Sequence, residues 1–560
     1  MFKFDRGAKT AFPFVPALLL AAACGVETPR ILMIDPRFAV TGQNLTIMGE
    51  SFGDEQGESF VTIGGVRPTM SSFLEWSDNK IVLRIPDFGE TGLIYVHRRN
   101  HRSNPVLIST LSSMPEFPKS QVSYAPVITQ VRPASASIGE LVVIQGSGFG
   151  SRRDGGAVLF SWAAERQPYT PAEVSTAQLI EARGPTGVYE AWSEHEIRVR
   201  VSDGATSGIV QVSVPPEKSN AVPFEVGAKP GVKTIKDKRT YSISYSVDVW
   251  AGNAVPPNSI YLWCSFPAST ASQVNKETLP GSSKPFVGDY RGVSLYRLND
   301  LKSGDNRQVS VSYLVDVYGV ETRVLPELVK PYVDSPVLRT WTLPSSFVPS
   351  NDVAVKEMAA AFTGKERNPY LKAYSIYRGF LKEFTVTAGI TGDSVRQAIT
   401  KKTTDPYTAA MLYCALCRAA GIPAIPVSGV LCSGIGGAQP HYWVEFWIDE
   451  FGWIPVDPAL GAGAFADPGA DPGAPSVPSQ PGESFRPRDN YERFYFGNMD
   501  NQHLAFSFGE TILSQIDARG RTASGKPNYA LQNIREEASG GIEAYSSHWS
   551  DINVIGVYSN

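Results

Sequence analysis

The sequence predicts a multidomain protein in which three β-rich units precede one α+β domain near the C-terminus. The chain has 560 residues, and at about 100 to 200 residues per domain three to five units are expected. An internal repeat fills much of the first half, and runs of alternating apolar and polar residues follow it. Helical patterns begin only near Asp352.

Charge is close to balance. The chain has 51 Lys and Arg against 55 Asp and Glu, and charged residues make up 19% of it. Nucleic-acid-binding proteins concentrate basic residues on one face or one segment. No such concentration is present, so no nucleic acid is expected as a partner.

The N-terminus has the pattern of an export signal over residues 1–23. Basic residues lead into an apolar run from Ala11 to Ala23, which is shorter than the about 20 residues of a spanning helix. Small residues just before Cys24 resemble the lipobox of bacterial lipoproteins. The resemblance implies a lipidated Cys24 that anchors the protein in the lipid bilayer of a bacterial cell envelope, on its periplasmic or outer-surface face. The alternative is an ordinary signal peptide with a chance cysteine.

An internal repeat follows the signal segment. Five residues recur at an offset of 97 (133 − 36), namely Pro36, Gly42, Gly49, Phe52 and Gly53 as Pro133, Gly139, Gly146, Phe149 and Gly150. Later residues recur at an offset of 116 (192 − 76), so the second copy carries 19 (116 − 97) extra residues between Gly150 and Trp192.

Each copy alternates apolar and polar residues in short runs separated by Gly and Pro, which is typical of a β-sandwich. The predicted sandwiches span residues 28–112 and 125–227. The proline and glycine pattern resembles IPT/TIG domains, immunoglobulin-like modules common in extracellular proteins. The resemblance implies a spacer or a ligand-binding module. The insertion at residues 151–191 is the expected place for a specific contact, because loops carry binding function more often than sandwich cores do.

Residues 232–340 predict a third β-rich unit, a connector domain. The segments 240–249 and 307–315 largely alternate between apolar and polar residues, as half-buried strands do. Cys264 lies in an apolar run of this unit and is expected to be a small buried residue.

Residues 350–510 predict the α+β domain. Asp352 precedes the first helical pattern, and Asn368-Pro369 is a good helix start because Asn caps and Pro suits the first helical position. A short helix follows Asp393. The next helix runs from Pro406 to Ala420, with Gly421 as its C-terminal stop.

Two motifs lie beyond this helix. One is His441-Tyr442-Trp443-Val444-Glu445, and the other is the segment 452–458, Gly-Trp-Ile-Pro-Val-Asp-Pro. Together with the helix end they resemble the transglutaminase-like superfamily, whose papain-like domains pair a helix N-terminal Cys with His and Asp on adjacent strands. Seven family positions fall in register without gaps: Ala410, Leu412, Arg418, Gly421, Ile422, Pro423 and Ala424. The resemblance implies catalytic positions at His441 and Asp457, with Trp443 and Trp453 in the cleft.

The same register places Pro406 in the column of the catalytic cysteine. A cysteine at a helix N-terminus has a lowered pKa and is activated by a neighbouring histidine. Proline offers no nucleophile, so acyl transfer by the family route is not expected.

Three other cysteines lie in the α+β domain and are the possible replacements for the missing thiol. Cys414 and Cys417 lie roughly 12 and 16 Å further along the helix at 1.5 Å per residue, and they are expected to be core residues. Cys432 precedes His441 in a Gly-rich segment that predicts a flexible loop, so it is the candidate displaced nucleophile. No cofactor is expected, and no metal-ligand pattern is present in the sequence.

Residues 459–484 are rich in Gly, Ala, Pro and Ser and predict a flexible insertion, while residues 511–560 form a polar tail of unassigned role. The sequence therefore favours an envelope lipoprotein whose transglutaminase-like domain has lost its chemistry and binds a protein, a peptide or a cell-wall component. One alternative is an active thiol peptidase, amidase or transglutaminase that uses Cys432. The other is a structural or adhesive surface protein with no ligand in the cleft.

Overall fold

A computed structural model describes residues 28–559, except 37, 40, 87–90, 111–124, 154, 163–177, 185–186, 228–229, 388–391, 465–489 and 525–529. The signal segment, Cys24 and most of the 459–484 insertion lie outside the described residues. The described chain is mostly β-sheet and contains several domains, which confirms the predicted fold class.

The first repeat copy forms a two-sheet sandwich, here called the first sandwich. Its sheets have the strand orders β1-β3-β6-β5 and β2-β9-β7-β4, with β8 also paired to β7. The strands are β1 (Arg30–Asp35), β2 (Phe38–Ala39), β3 (Asn44–Glu50), β4 (Phe60–Ile63), β5 (Phe73–Ser77), β6 (Lys80–Arg84), β7 (Thr91–Arg98), β8 (His101–Arg102) and β9 (Val106–Thr110).

The second copy, the second sandwich, repeats this topology with one added strand. Its sheets are ordered β10-β12-β16-β15 and β11-β19-β17-β13-β14, with β18 on β17. The added strand, β14, lies within the predicted insertion. The strands are β10 (Val127–Arg132), β11 (Ser135–Ala136), β12 (Leu141–Ser147), β13 (Ala157–Trp162), β14 (Leu179–Glu181), β15 (Tyr189–Trp192), β16 (Glu196–Arg200), β17 (Ala205–Val214), β18 (Glu217–Lys218) and β19 (Val222–Val226).

The repeated glycines have a steric cause. A Cβ added to Gly49 would lie 2.1 Å from the Arg30 carbonyl oxygen, and one added to Gly146 would lie 2.0 Å from that of Val127. Both glycines face the neighbouring strand at a close backbone approach, which only glycine allows. The repeat therefore preserves a backbone contact.

The connector domain is built around a 35-residue strand, β20 (Gly231–Ser265). Its sheet is ordered β21-β24-β20-β23-β22. The other strands before the helices are β21 (Gln273–Thr278), β22 (Val287–Tyr290), β23 (Val293–Asn299) and β24 (Asn306–Val324).

The C-terminal segment completes this sheet and is not a separate tail. Two of its strands, β34 (Glu536–Trp549) and β35 (Asn553–Ser559), pair with β20 over most of that strand's length. A third, β32 (Arg521–Ala523), pairs with β34. The connector domain is therefore assembled from segments more than 200 residues apart.

Helices open the α+β domain, and the structure confirms the predicted cap at Asn368. Asp352 and Asn368 cap the second and third helices, and Pro369 occupies the first turn of the third. The helices are α1 (Pro336–Trp341), α2 (Val353–Thr363), α3 (Pro369–Glu383), α4 (Val395–Lys401), α5 (Pro406–Ala419), α6 (Pro458–Gly461) and α7 (Tyr491–Phe494).

A four-stranded antiparallel sheet, ordered β29-β28-β27-β30, packs on α5. Its strands are β27 (Ala424–Gly434), β28 (Gly437–Ile448), β29 (Gly452–Val456) and β30 (His503–Phe508), and two short strand pairs flank the domain, β25 (Thr385–Val386) with β26 (Thr403–Thr404) and β31 (Glu510–Thr511) with β33 (Leu531–Gln532).

The two faces of this sheet belong to different cores. One face, which includes Val444 and Val456, packs with α5, whereas the other face, which includes Trp447, joins the core of the second sandwich. Gly139 of that sandwich makes the contact close, because a Cβ there would lie 2.8 Å from the Trp447 ring. The second sandwich is thus part of the α+β domain's packing.

The paired tail predicts a stability effect. Ile542 on β34 is 5% exposed and Ile555 on β35 is 46% exposed. We expect Ile542→Ala to lower the free energy of unfolding by about 2–5 kcal/mol, because a buried side chain leaves a cavity. Ile555→Ala is the matched control and is expected to change it by less than about 0.5 kcal/mol. Urea unfolding followed by circular dichroism measures both, and equal effects would contradict integration of the tail.

Candidate functional site

The two family positions lie on adjacent strands and contact each other. His441 is on β28, and Asp457 follows β29, which pairs antiparallel with β28. The His441 Nε2–H donates a hydrogen bond of 2.5 Å to Asp457 Oδ2. Sequence reasoning therefore identified a real contact pair.

Asp457 also accepts hydrogen bonds from other elements. Its Oδ1 accepts from the backbone N–H groups of Ala459 and Leu460, so it caps α6. Its Oδ2 also accepts a hydrogen bond from a second imidazole, that of His503 on β30, whose Nε2 lies 3.1 Å away. One carboxylate thus joins two strands of the sheet to a helix.

Sequence reasoning gave His503 no role. Its Nδ1 donates to Asp500 Oδ1 at 2.8 Å, and Asp500 Oδ2 accepts from the Tyr495 hydroxyl at 2.8 Å. One feature of the sequence could have indicated the contact between Asp500 and His503, namely that they lie three residues apart and close to Tyr495 in the chain. That spacing alone gives no hint that His503 reaches Asp457.

Both ring nitrogens of His503 face carboxylates, and an ionised carboxylate only accepts hydrogen bonds. The ring is therefore a doubly protonated imidazolium. Burial alone would lower its pKa, but Asp500 and Asp457 outweigh burial and raise the pKa of His503 to about 9. Burial would raise the pKa of Asp457 and Asp500, yet the histidines beside them hold both pKa values below the usual range.

This network is sealed from solvent. His441 and Asp457 are 0% exposed, and His503 is 4% exposed. Trp443 covers it, with its ring 5.1 Å from that of His503 and 6.3 Å from that of His441. A void of about 20 Å³ beside Trp443 and His503 has room for about one water molecule. The predicted cleft is filled at its catalytic end.

Pro406 is the first residue of α5 and is buried. Asp405 caps the helix, since its Oδ1 accepts from the Thr408 N–H at 2.7 Å. Proline at this position removes no helical hydrogen bond. The start of α5 is therefore stable without a thiol at this position.

The structure corrects the predicted position of Cys432. It lies within β27, not in a flexible loop, and it is 0% exposed. Gly429 of β27 pairs with His441, and Cys432 is three residues further along the same strand. Residues three apart in a strand face opposite sides of the sheet. Cys432 therefore packs into the connector core, away from His441.

The remaining thiols of the described chain are core residues. Cys264, Cys414 and Cys417 are fully buried, like Cys432. Burial raises the pKa of Cys264 and Cys414 to about 12, and those of Cys417 and Cys432 are raised as well. A thiol in this state is neutral at physiological pH and is inert.

The site contains the residue types of a metal centre but not its spacing. The ligand atoms of His441, Asp457 and His503 lie within 4.8 Å of one another. Zinc ligands sit about 2.0–2.2 Å from the ion, so atoms sharing one ion stand well over 2.5 Å apart. The 2.5 Å contact between His441 and Asp457 is therefore a hydrogen bond that an ion would have to break.

A large cavity lies beside the sealed network. Its volume is about 1840 Å³, and residues of both sandwiches, the connector domain and the α+β sheet line it. Trp447, Trp453 and Glu445 form its floor, and Trp162 and Trp341 contribute to its walls. It exceeds the roughly 300–1,000 Å³ of small-molecule sites, so it suits an extended ligand.

One ion pair fixes the floor of this cavity. Lys233 of the connector domain donates to Asp203 of the second sandwich at 2.7 Å and to the Trp453 carbonyl at 2.6 Å. Burial and Asp203 raise the pKa of Glu445 to about 8, and Lys233 opposes them. Glu445 therefore presents a neutral carboxyl group to the cavity at neutral pH.

Family models match two parts of the chain. The transglutaminase-like superfamily model matches residues 356–458, and the IPT/TIG domain model matches residues 29–108. The chain therefore contains a transglutaminase-like domain and an IPT/TIG domain.

Individual relatives and solved structures are similar to parts of this chain. An "Uncharacterized protein" of Haemophilus influenzae is 30% identical over 138 residues, 19% of this chain and 36% of that protein. This chain thus spans about a third of that relative's length. Two solved structures are similar at 16% identity: "a Putative Cysteine Protease from Cytophaga hutchinsonii" (TM-score 0.35, 59% of this chain and 93% of that one) and the periplasmic domain of TgpA from Pseudomonas aeruginosa (TM-score 0.23, 38% and 87%).

Among the described residues, no helix is long and apolar enough to cross a membrane.

The imidazolium predicts a pH dependence. The folded-state pKa of His503 exceeds its ordinary 6.5, so its stabilising effect is fully present below pH 6.5 and is lost as pH rises through about 9. We expect His503→Gln to lower the free energy of unfolding at pH 6 by up to about 3 kcal/mol, and by less at pH 9. Urea unfolding of the wild type and the variant at pH 6 and pH 9 measures the loss of stability. A loss of the same size at both pH values would contradict the prediction.

Proposed function

We propose that this protein is an envelope-anchored binding protein whose transglutaminase-like domain has no thiol chemistry and holds its ligand in the cavity beside the old catalytic centre. The observation that carries the proposal is Pro406 at the start of α5, in the family's nucleophile position. The anchor is Cys24, and the ligand is an extended peptide, protein or cell-wall component.

The burial of the cysteines supports the loss of thiol chemistry. Each described cysteine is buried in a core, and Cys432 faces away from His441. The His441–Asp457–His503 network then has a structural role, because it joins β28, β30 and α6 through buried, charge-assisted hydrogen bonds.

The cavity supports binding. Several tryptophans line it, and tryptophan is enriched among residues that dominate binding energy. The Lys233–Asp203 pair holds the floor in place against two other domains, so the site is preorganised.

Restoring the thiol tests the loss of chemistry. We expect the wild-type full chain to show no iodoacetamide-sensitive amide hydrolysis or amine incorporation with a glutamine-containing peptide. Pro406→Cys is expected to react with iodoacetamide at pH 6 faster than Pro406→Cys/His441→Ala does, because a nearby imidazole lowers a thiol pKa. Pro406→Ala is the control without a thiol. Wild-type turnover that Cys432→Ser abolishes would overturn the proposal.

The cavity is tested by binding. We expect the wild-type full chain to sediment with purified peptidoglycan sacculi, and Trp162→Ala, which removes a half-buried ring from the cavity wall, to weaken that binding by about tenfold or more. Trp250→Ala, which changes a tryptophan that is 41% exposed outside the cavity, is the matched control. Circular dichroism confirms that both variants are folded. Equal binding by the two variants would place the sacculus contact outside the cavity.

A further inference from the structure

The first sandwich carries a stack of planar side chains on the outer face of its β4–β7–β8 sheet. Arg67 lies over the Phe60 ring at 4.0 Å, and Phe60 stacks on His97 at 4.4 Å with an interplanar angle of 6°. His97 contacts Tyr95 at 6.2 Å, and Arg102 lies over Tyr95 at 4.3 Å. These five residues are here called the ladder.

The second sandwich shows that the fold does not need the ladder. Phe60 pairs with His97 across β4 and β7, as Ala157 pairs with Ser213 across β13 and β17. Tyr95 and Arg102 correspond in the same register to Gln211 and Lys218. A sandwich of the same topology thus folds with a small or polar residue in place of each ring.

The arginines at the two ends of the ladder are available. Among the described residues, neither Arg67 nor Arg102 forms an ion pair, and both are exposed. A guanidinium stacked on a ring is held in orientation while its N–H groups stay free, and that edge matches carboxylate and phosphate bidentately. The ladder therefore presents two oriented anion-binding groups, separated by aromatic rings.

One end of the ladder opens on the large cavity. Phe60 and Arg67 line it together with Arg291 and Arg339. Partial burial and the nearby Arg339 lower the pKa of Arg67. Arg339 is itself ion-paired with Asp334, so Arg67 is the cation that this end of the ladder offers to a ligand.

We propose that the ladder binds an anionic polymer that carries a carboxylate or phosphate on successive sugar or polyol units. Its two arginines take two charged groups of one chain, and the rings contact the apolar parts between them. Sheets that recognise peptides usually add them as a strand at an edge, whereas the ladder projects from a sheet face. This site lies outside the transglutaminase-like domain and does not depend on whether Pro406 abolishes catalysis.

The test uses the full chain in detergent with four polymers: polygalacturonate, polyglycerol phosphate, poly-L-glutamate and neutral dextran. Biolayer interferometry at low and high salt gives the affinities. We expect tight, salt-sensitive binding of polygalacturonate or polyglycerol phosphate, and which of the two binds identifies the charged group. Poly-L-glutamate and dextran are expected to bind at least about tenfold more weakly.

Variants locate the binding. Phe60→Ala/Tyr95→Gln/His97→Ser installs the residues of the second sandwich, and Arg67→Gln/Arg102→Gln removes the cations; each is expected to weaken binding about tenfold or more. Gln211→Ala/Lys218→Gln is the matched control in the second sandwich and should change nothing. Trp162→Ala should also leave this binding unchanged, which separates it from binding in the cavity.

Several results would overturn the proposal. They are no binding of either anionic polymer, preferential binding of poly-L-glutamate, or equal binding by the ladder variants and the second-sandwich control. Thermal unfolding of each variant distinguishes lost contacts from lost folding, since the swapped residues already occur in the same topology.

Discussion

The α+β domain depends on the buried carboxylate of Asp457. It accepts hydrogen bonds from His441, from His503 and from the first turn of α6, so one side chain holds together the end of β29, two other strands and a helix. A buried charge is costly unless it is paired and hydrogen-bonded. Here the imidazolium of His503 supplies the positive charge that pairs with Asp457, and Asp500 pairs with the other nitrogen of the same ring. The network is therefore stable only as a whole.

This constraint explains why the His441–Asp457 pair is tied to the fold of the domain. Pro406 costs α5 no hydrogen bond, because Asp405 caps the helix and the first turn needs no donor from that residue. Removing His441 or Asp457 would instead leave a buried partner unsatisfied. The buried pair is therefore required by the fold, whereas the first position of α5 accepts a residue that has no backbone donor.

The two sandwiches share a topology but differ in what their exposed faces contact. Gly49 and Gly146 preserve one close backbone approach, so both copies keep one topology. Their exposed faces then diverge. One face of the second sandwich packs around Trp447 of the α+β sheet, whereas the first sandwich displays a stack of rings and guanidinium groups. The repeat supplies a scaffold, and each copy uses it for a different contact.

The sequence by itself determined the features that local chemistry controls. The repeat offset, the helix start at Asn368, and the motifs that hold His441 and Asp457 all depend on residues close in the chain. Tertiary structure alone decided the rest. His503 reaches Asp457 from 46 residues away, and β34 pairs with β20 from the far end of the chain. Cys432 faces the opposite side of the sheet from His441, because strand pairing fixes which side chains of β27 face each side. Long-range pairing and packing leave no local periodicity, which is the physical reason that the cavity and the full network could not be predicted from the sequence.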